Sequence, residues 1–167
     1  MVLAGTLLHF TFEWSGRCWV VGIFSAVNES VWEHLKLGFW PFLLFSLIEY
    51  GFLKGRVGNF AVGKAAGILA FELFVVVGFY GYTRLIGRHL LALDIGLFVL
   101  GCGIGYAVSY RIITVPKLGV EWQAACVAFL IVHTVLEIVF TFRPPRLPIF
   151  RDSRTGRYGA YYEDSER

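Results

Sequence analysis

Apolar residues in this chain fall into long, nearly unbroken blocks separated by short polar connections, rather than into the one-sided stripes of a soluble helix. The blocks at residues 35–53, 60–82, 90–110 and 120–142 are each close to the ~20 residues that cross a hydrocarbon core of about 30 Å. A bilayer offers no water to backbone amides and carbonyls, so each block is predicted to be helical. A further block, residues 2–14, rises only about 20 Å as a helix, so it either crosses thinly or begins upstream of Met1. Because no basic residue precedes it and His9 and Glu13 interrupt it, it is not read as a secretory signal. The expectation is an all-α integral membrane bundle of about five transmembrane helices. Residues 17–26 are largely apolar yet too short to cross, and predict a re-entrant or interfacial piece between the first two. Asn28, or Ser30 with Glu33 in a Ser-x-x-Glu capping box, then opens the second helix.

Composition points the same way. The 167 residues are 57% hydrophobic and 16% charged, with a mean hydropathy of +0.65, against roughly 25% charged residues in soluble domains. The first partner is therefore the lipid bilayer. A net charge of +3, gathered in connections and tail, speaks for headgroup contact and topology and against nucleic acid. Near the predicted spans, nine Lys and Arg fall on the side of the carboxyl terminus and five on the other, which predicts a multi-pass cell-membrane protein with a cytoplasmic carboxyl terminus. Arg143-Pro144-Pro145 ends the last helix, dividing the chain into a transmembrane domain, 1–142, and a short cytoplasmic tail, 143–167. Tyr158, Tyr161 and Tyr162 beside Arg151, Arg154 and Arg157 give that tail an aromatic and basic strip, suited to headgroups or to folding back over the cytoplasmic mouth. Cys18, Cys102 and Cys126 suggest neither a disulfide framework nor a zinc knuckle. Gly63 with Gly67, and Gly101 with Gly105, carry the Gly-x-x-x-Gly spacing of close helix contacts, used within the chain or in a homo-oligomer.

Candidate chemistry lies in the ionisable residues of the apolar blocks, each of which needs a partner or a role there. His9 and Glu13 are one helical turn apart, as are His133 and Glu137. In a five-span bundle these helices run in the same direction, so their depths can match. Glu29, Glu33 and His34 open the second helix on that same side. Carboxylates and imidazoles on facing helices are the material of a divalent metal site for Zn, Mn or Fe. The candidate metal ligands are His9, Glu13, His34, His133 and Glu137, with Glu29 and Glu33 as candidate catalytic groups that bridge ions or act as base. The reaction class would be metal-assisted chemistry on a lipid-like substrate, although the spacing matches neither di-iron bundles nor zinc proteases. Two other readings use the same residues. In a structural subunit, Glu33 pairs with Lys36, Glu13 with Arg17, and Glu137 stays neutral or meets Arg143. In a small proton- or ion-coupled transporter, Glu49, Glu72 and Asp94 extend a polar route across the bilayer.

The run Asn28-Glu29-Ser30-Val31-Trp32-Glu33-His34-Leu35-Lys36, preceded by His9-Phe10-Thr11-Phe12-Glu13-Trp14-Ser15-Gly16, resembles an uncharacterised family of small multi-span prokaryotic membrane proteins that carry domain of unknown function 6512. The resemblance covers most of the chain. It implies a multi-span membrane fold and no established reaction.

Overall fold

The structure, a computed structural model, describes residues 1–160. Those residues form six α-helices and no strand: α1 (Val2–Trp14), α2 (Trp19–Gly22), α3 (Val31–Leu53), α4 (Phe60–Ile86), α5 (Leu91–Ile113) and α6 (Val120–Phe142), followed by a single 3-10 turn, Pro148–Phe150. The predicted all-α membrane bundle is present. Helices α3 to α6 are long and apolar enough to cross a membrane, whereas the 13 residues of α1 fall short of that length.

Most of the predicted helix ends lie within a few residues of the observed ones, and the differences have local causes. Helix α3 starts four residues before the apolar block because Ser30 Oγ accepts the Glu33 amide at 3.4 Å. Only half of a capping box forms there. Asn28 Oδ1 takes the Ser30 amide at 2.8 Å, while the Glu33 carboxylate accepts from the Val27 amide at 3.0 Å. At the other end of α4, Gly87 adopts φ 77° and closes the helix beyond Tyr82, a left-handed conformation that suits glycine.

Helix α3 is the most buried of the four long helices. Phe39, Trp40 and Phe42 are buried against Ile68 of α4, and Leu35 against Phe71, Val75 and Cys102. Pro41 in α3 has no amide to offer the Leu37 carbonyl, and α1 packs closely against that carbonyl. A Cβ on Gly5 would lie 2.6 Å from the Leu37 oxygen. The predicted Gly-x-x-x-Gly faces meet each other in the α4–α5 pair, where a Cβ on Gly67 would lie 2.7 Å from the Gly105 carbonyl oxygen. These small residues let two backbones approach closely within one chain.

The connection from α1 to α3 folds down along α3 instead of lying flat across its end. Trp40 Nε1, on the tenth residue of α3, donates to the Ile23 carbonyl at 2.9 Å, and Ser25 Oγ donates to the Leu8 carbonyl. The tail folds back as well. Phe150 is buried against Trp32 and Phe140, with ring centroids 4.9 and 5.2 Å away. The Ala160 amide donates to the Thr141 carbonyl at 3.1 Å and Asn28 Nδ2 to the Gly159 carbonyl at 3.0 Å. Residues 143–160 are therefore packed onto the end of the bundle that α3 enters, here called the tail face. Tyr161 and Tyr162 of the predicted aromatic strip lie outside the described residues.

Candidate functional site

Seven His and Glu side chains were expected to gather at one end of the bundle; the fold sorts them into two clusters and two ion pairs. His9, Glu29 and His34 meet at the tail face. His133 and Glu137 lie deeper and meet Glu72 of α4. Glu13 points away from both, exposed and paired with Arg17 at 3.2 Å. Glu33 is buried and paired with Lys36 at 2.6 Å, so its carboxylate is committed to an ammonium and an amide and does not reach the His9 cluster as a free base. The expected convergence fails in azimuth as well as in depth. His9 faces one flank of α3 and His133 the other.

The tail-face cluster is built from three elements. Helix α1 supplies His9, the residue pair before the α3 cap supplies Glu29, and the first turn of α3 supplies His34. Their ligand-type atoms converge on one carboxylate oxygen, Glu29 Oε2, which lies 3.5 Å from His34 Nε2 and 3.9 Å from His9 Nε2. The two imidazoles are tilted neighbours with centroids 5.2 Å apart. His34 Nδ1 lies 2.8 Å from the Ser30 carbonyl. A carbonyl can only accept, so Nδ1 carries the proton and, in the neutral ring, the Nε2 lone pair turns toward Glu29. Burial and the neighbouring His34 lower the pKa of His9, which lies outside the four long helices, and favour its neutral, ligand-competent form.

The tail holds Glu29 in place. Its amide donates to Asp152 Oδ2 and its carbonyl accepts from the Ser153 amide, both at 3.3 Å. Arg154 stands 3.8 Å from the other carboxylate oxygen. Asp152 is itself fixed by the Arg154 and Thr155 amides, which donate to Oδ1 at 2.7 and 2.8 Å.

Beside this cluster lies a groove of about 510 Å³ between α1, α3, α4 and α5. Its deeper wall is apolar and includes Leu37, Val75, Leu97 and Phe98. Its rim carries His9, Glu29, His34, His89, Asp94 and Arg154. Asp94 accepts from the Tyr82 hydroxyl and lies 3.5 Å from His89 Nδ1.

Deeper in the bundle, His133 Nε2 is 2.8 Å from Glu72 Oε1 and 3.5 Å from Glu137 Oε1. The three residues are buried, under aromatic rings of Phe39 and Phe129 whose centroids stand 5.0 and 5.4 Å from that of His133. The sequence pattern offers Glu72 only as part of a transport route. The signal that could have placed it is depth: Glu72 is the thirteenth residue of α4 and His133 the fourteenth of α6, two helices that run the same way.

The remaining intramembrane charges close into local pairs. Lys64 binds Glu49 and sits over the Phe42 and Phe60 rings, 5.5 and 5.1 Å from their centroids. Asn59 is a polar hub that the sequence reading missed. Its amide nitrogen reaches the carbonyls of Ile112, Val115 and Pro116 at 3.0 to 3.1 Å. Its oxygen accepts from the Leu118 amide at 2.8 Å and from Gln123 at 3.2 Å.

No curated protein and no solved structure matches the chain. Residues 1–160 match the profile of a family of unknown function, DUF6512. The chain, an all-helical membrane bundle with its His and Glu residues in two clusters, belongs to that family.

Proposed function

We propose that the tail-face cluster binds one divalent metal ion, of the Zn, Mn or Fe class, and that the protein uses it for chemistry on a lipid-like molecule held in the adjoining groove. The observation that carries this reading is the pair of imidazole nitrogens aimed at one oxygen of Glu29 at the rim of an apolar groove. Bonds of about 2.1 Å place tetrahedral ligand atoms roughly 3.4 Å apart, close to the 3.5 and 3.9 Å found here. His9 Nε2, His34 Nε2 and Glu29 make three protein ligands, the number that leaves a position open in catalytic sites. A bound ion there would polarise an ester carbonyl or phosphoryl oxygen and lower the pKa of a bound water. The chain's own residues would do the rest: the apolar wall takes up the hydrocarbon portion, and Arg154 meets an anionic headgroup.

The transporter reading has less support. Glu49, Glu72 and Asp94 each close into a separate pair, with Lys64, His133 and Tyr82 respectively. With Lys36 and Lys64 buried in ion pairs, the Lys and Arg count becomes eight to four in favour of the tail face. We therefore orient that face, with the carboxyl terminus, toward the cytoplasm of a cell membrane.

The test is metal content of the detergent-purified protein, prepared without a polyhistidine tag, followed by turnover of short-chain carboxylic and phosphate ester amphiphiles. One ion per chain at this site, and ester cleavage that needs it, are expected. Occupancy of this site and turnover should each fall at least about tenfold in Glu29→Gln and His34→Ala. Metal content and turnover that are unchanged in these variants would overturn the reading.

A further inference from the structure

The geometry points to a second, separate metal site: we propose that Glu72, His133 and Glu137 bind one divalent transition-metal ion inside the bundle. Glu137 is fully buried, and neither of its carboxylate oxygens has a hydrogen-bond partner among the described residues. Its neighbour in the cluster is His133 Nε2, at 3.5 Å. An unsatisfied buried carboxylate costs several kcal/mol, so this group calls for a proton or a positive partner.

Lys36 does not fill that role. An ammonium has three donors, and Lys36 places them on Glu33 Oε2 at 2.6 Å, the Gly22 carbonyl at 2.8 Å and Thr141 Oγ1 at 3.0 Å. The Thr141 hydroxyl in turn donates to the Glu137 backbone carbonyl at 2.9 Å and not to the carboxylate. Two carboxylates therefore share a single imidazole. Even protonated, His133 balances only one of them. With His133 neutral the site carries two negative charges, which one divalent ion cancels.

The donor set suits such an ion. One imidazole nitrogen and two carboxylates form a mixed N/O site of the kind that binds Zn, Mn or Fe(II). The ligand-type atoms already lie within 4.8 Å of one another. The 2.8 Å between His133 Nε2 and Glu72 must open by about half an ångström, as the ion replaces the proton between them. That proton moves to Nδ1 of the same neutral ring, or leaves to solvent if the ring began as imidazolium. Phe39 and Phe129 surround the site with apolar rings, which strengthens each ion–carboxylate contact.

The experiment is equilibrium dialysis of the untagged protein against Zn²⁺ or Mn²⁺ with metal counted by mass spectrometry. The parent should bind two ions per chain, His9→Ala/His34→Ala one, and Glu72→Gln/Glu137→Gln one. A parent that binds one ion, lost in the His9/His34 variant and retained in the Glu72/Glu137 variant, would overturn the second site and leave the tail-face site standing. One ion with the opposite pattern would support the buried site and overturn the tail-face site. To guard against misfolding of the carboxylate variant, infrared difference spectra are taken on His9→Ala/His34→Ala as Mn²⁺ is added. A change in the carboxyl and carboxylate bands is expected. An unchanged spectrum would overturn the proposal.

Discussion

Lys36→Met tests whether the polar groups inside this bundle are structural partners or independent charges. Lys36 is wholly buried, and its ammonium contacts Glu33, Gly22 and Thr141 at 2.6, 2.8 and 3.0 Å. Methionine matches its length and packs in the same channel, so the substitution removes charge and donors and little volume. It leaves the Glu33 carboxylate, 2% exposed, with the Val27 amide as its remaining donor. Removing one partner of a buried pair costs about 3–5 kcal/mol, mainly because the other charge is stranded. Glu33→Gln, which strands the ammonium, should cost a similar amount. The double variant removes both charges and should cost under about 3 kcal/mol, since replacing a buried pair with neutral groups is often close to neutral. The assay is a double-mutant cycle by SDS-induced unfolding in mixed micelles, followed by tryptophan fluorescence. A double variant whose loss equals the sum of the two single losses would refute the pairing. So would a Lys36→Met protein as stable as the parent.

Three further outcomes follow from the packing. Gly105→Ala places a Cβ 2.8 Å from the Gly67 carbonyl oxygen, so it should destabilise the α4–α5 pair by about 1–3 kcal/mol, read in the same SDS titration. Asn59→Ala removes the side chain that joins the start of α4 to the α5–α6 connection, leaving three carbonyls and an amide without it. A loss of about 2–4 kcal/mol is expected, with faster proteolysis of that connection as a second readout. Glu13→Gln changes an exposed carboxylate paired with Arg17. Metal content equal to the parent's is expected, and a lost ion would show that Glu13 reaches the cluster.

The helices were legible in the sequence because the bilayer constraint acts on each segment separately: a block such as 120–142 must be helical whatever surrounds it. The Ser30 cap was legible for the same local reason. The sorting of the site was not. A His-x-x-x-Glu spacing fixes that two residues share a face, but it says nothing of the direction that face looks. His9 and His133 lie on opposite flanks of α3 because the backbone approach at Gly5 fixes α1 on one side, while Phe39 and Thr141 seat α6 on the other. Local spacing was right for Glu13 in the structural reading, where Arg17 four residues on is its partner, and misled only in counting Glu13 among the metal ligands. The pairing of Glu72 with His133 spans 61 residues and depends on the lateral order of helices, which hydropathy does not encode.

The anchoring of Glu29 by Asp152, Ser153 and Arg154 has a consequence for the order of events in biosynthesis. His9, Glu29 and His34 are all made early, within the first 34 residues, yet the residue at the centre of the cluster is held by residues made more than a hundred positions later. A nascent chain with α1 and α3 already in the bilayer has the ligands without their geometry. The cluster is finished only when the tail leaves the ribosome and docks, so truncation before residue 152 should uncouple insertion of the bundle from maturation of its site.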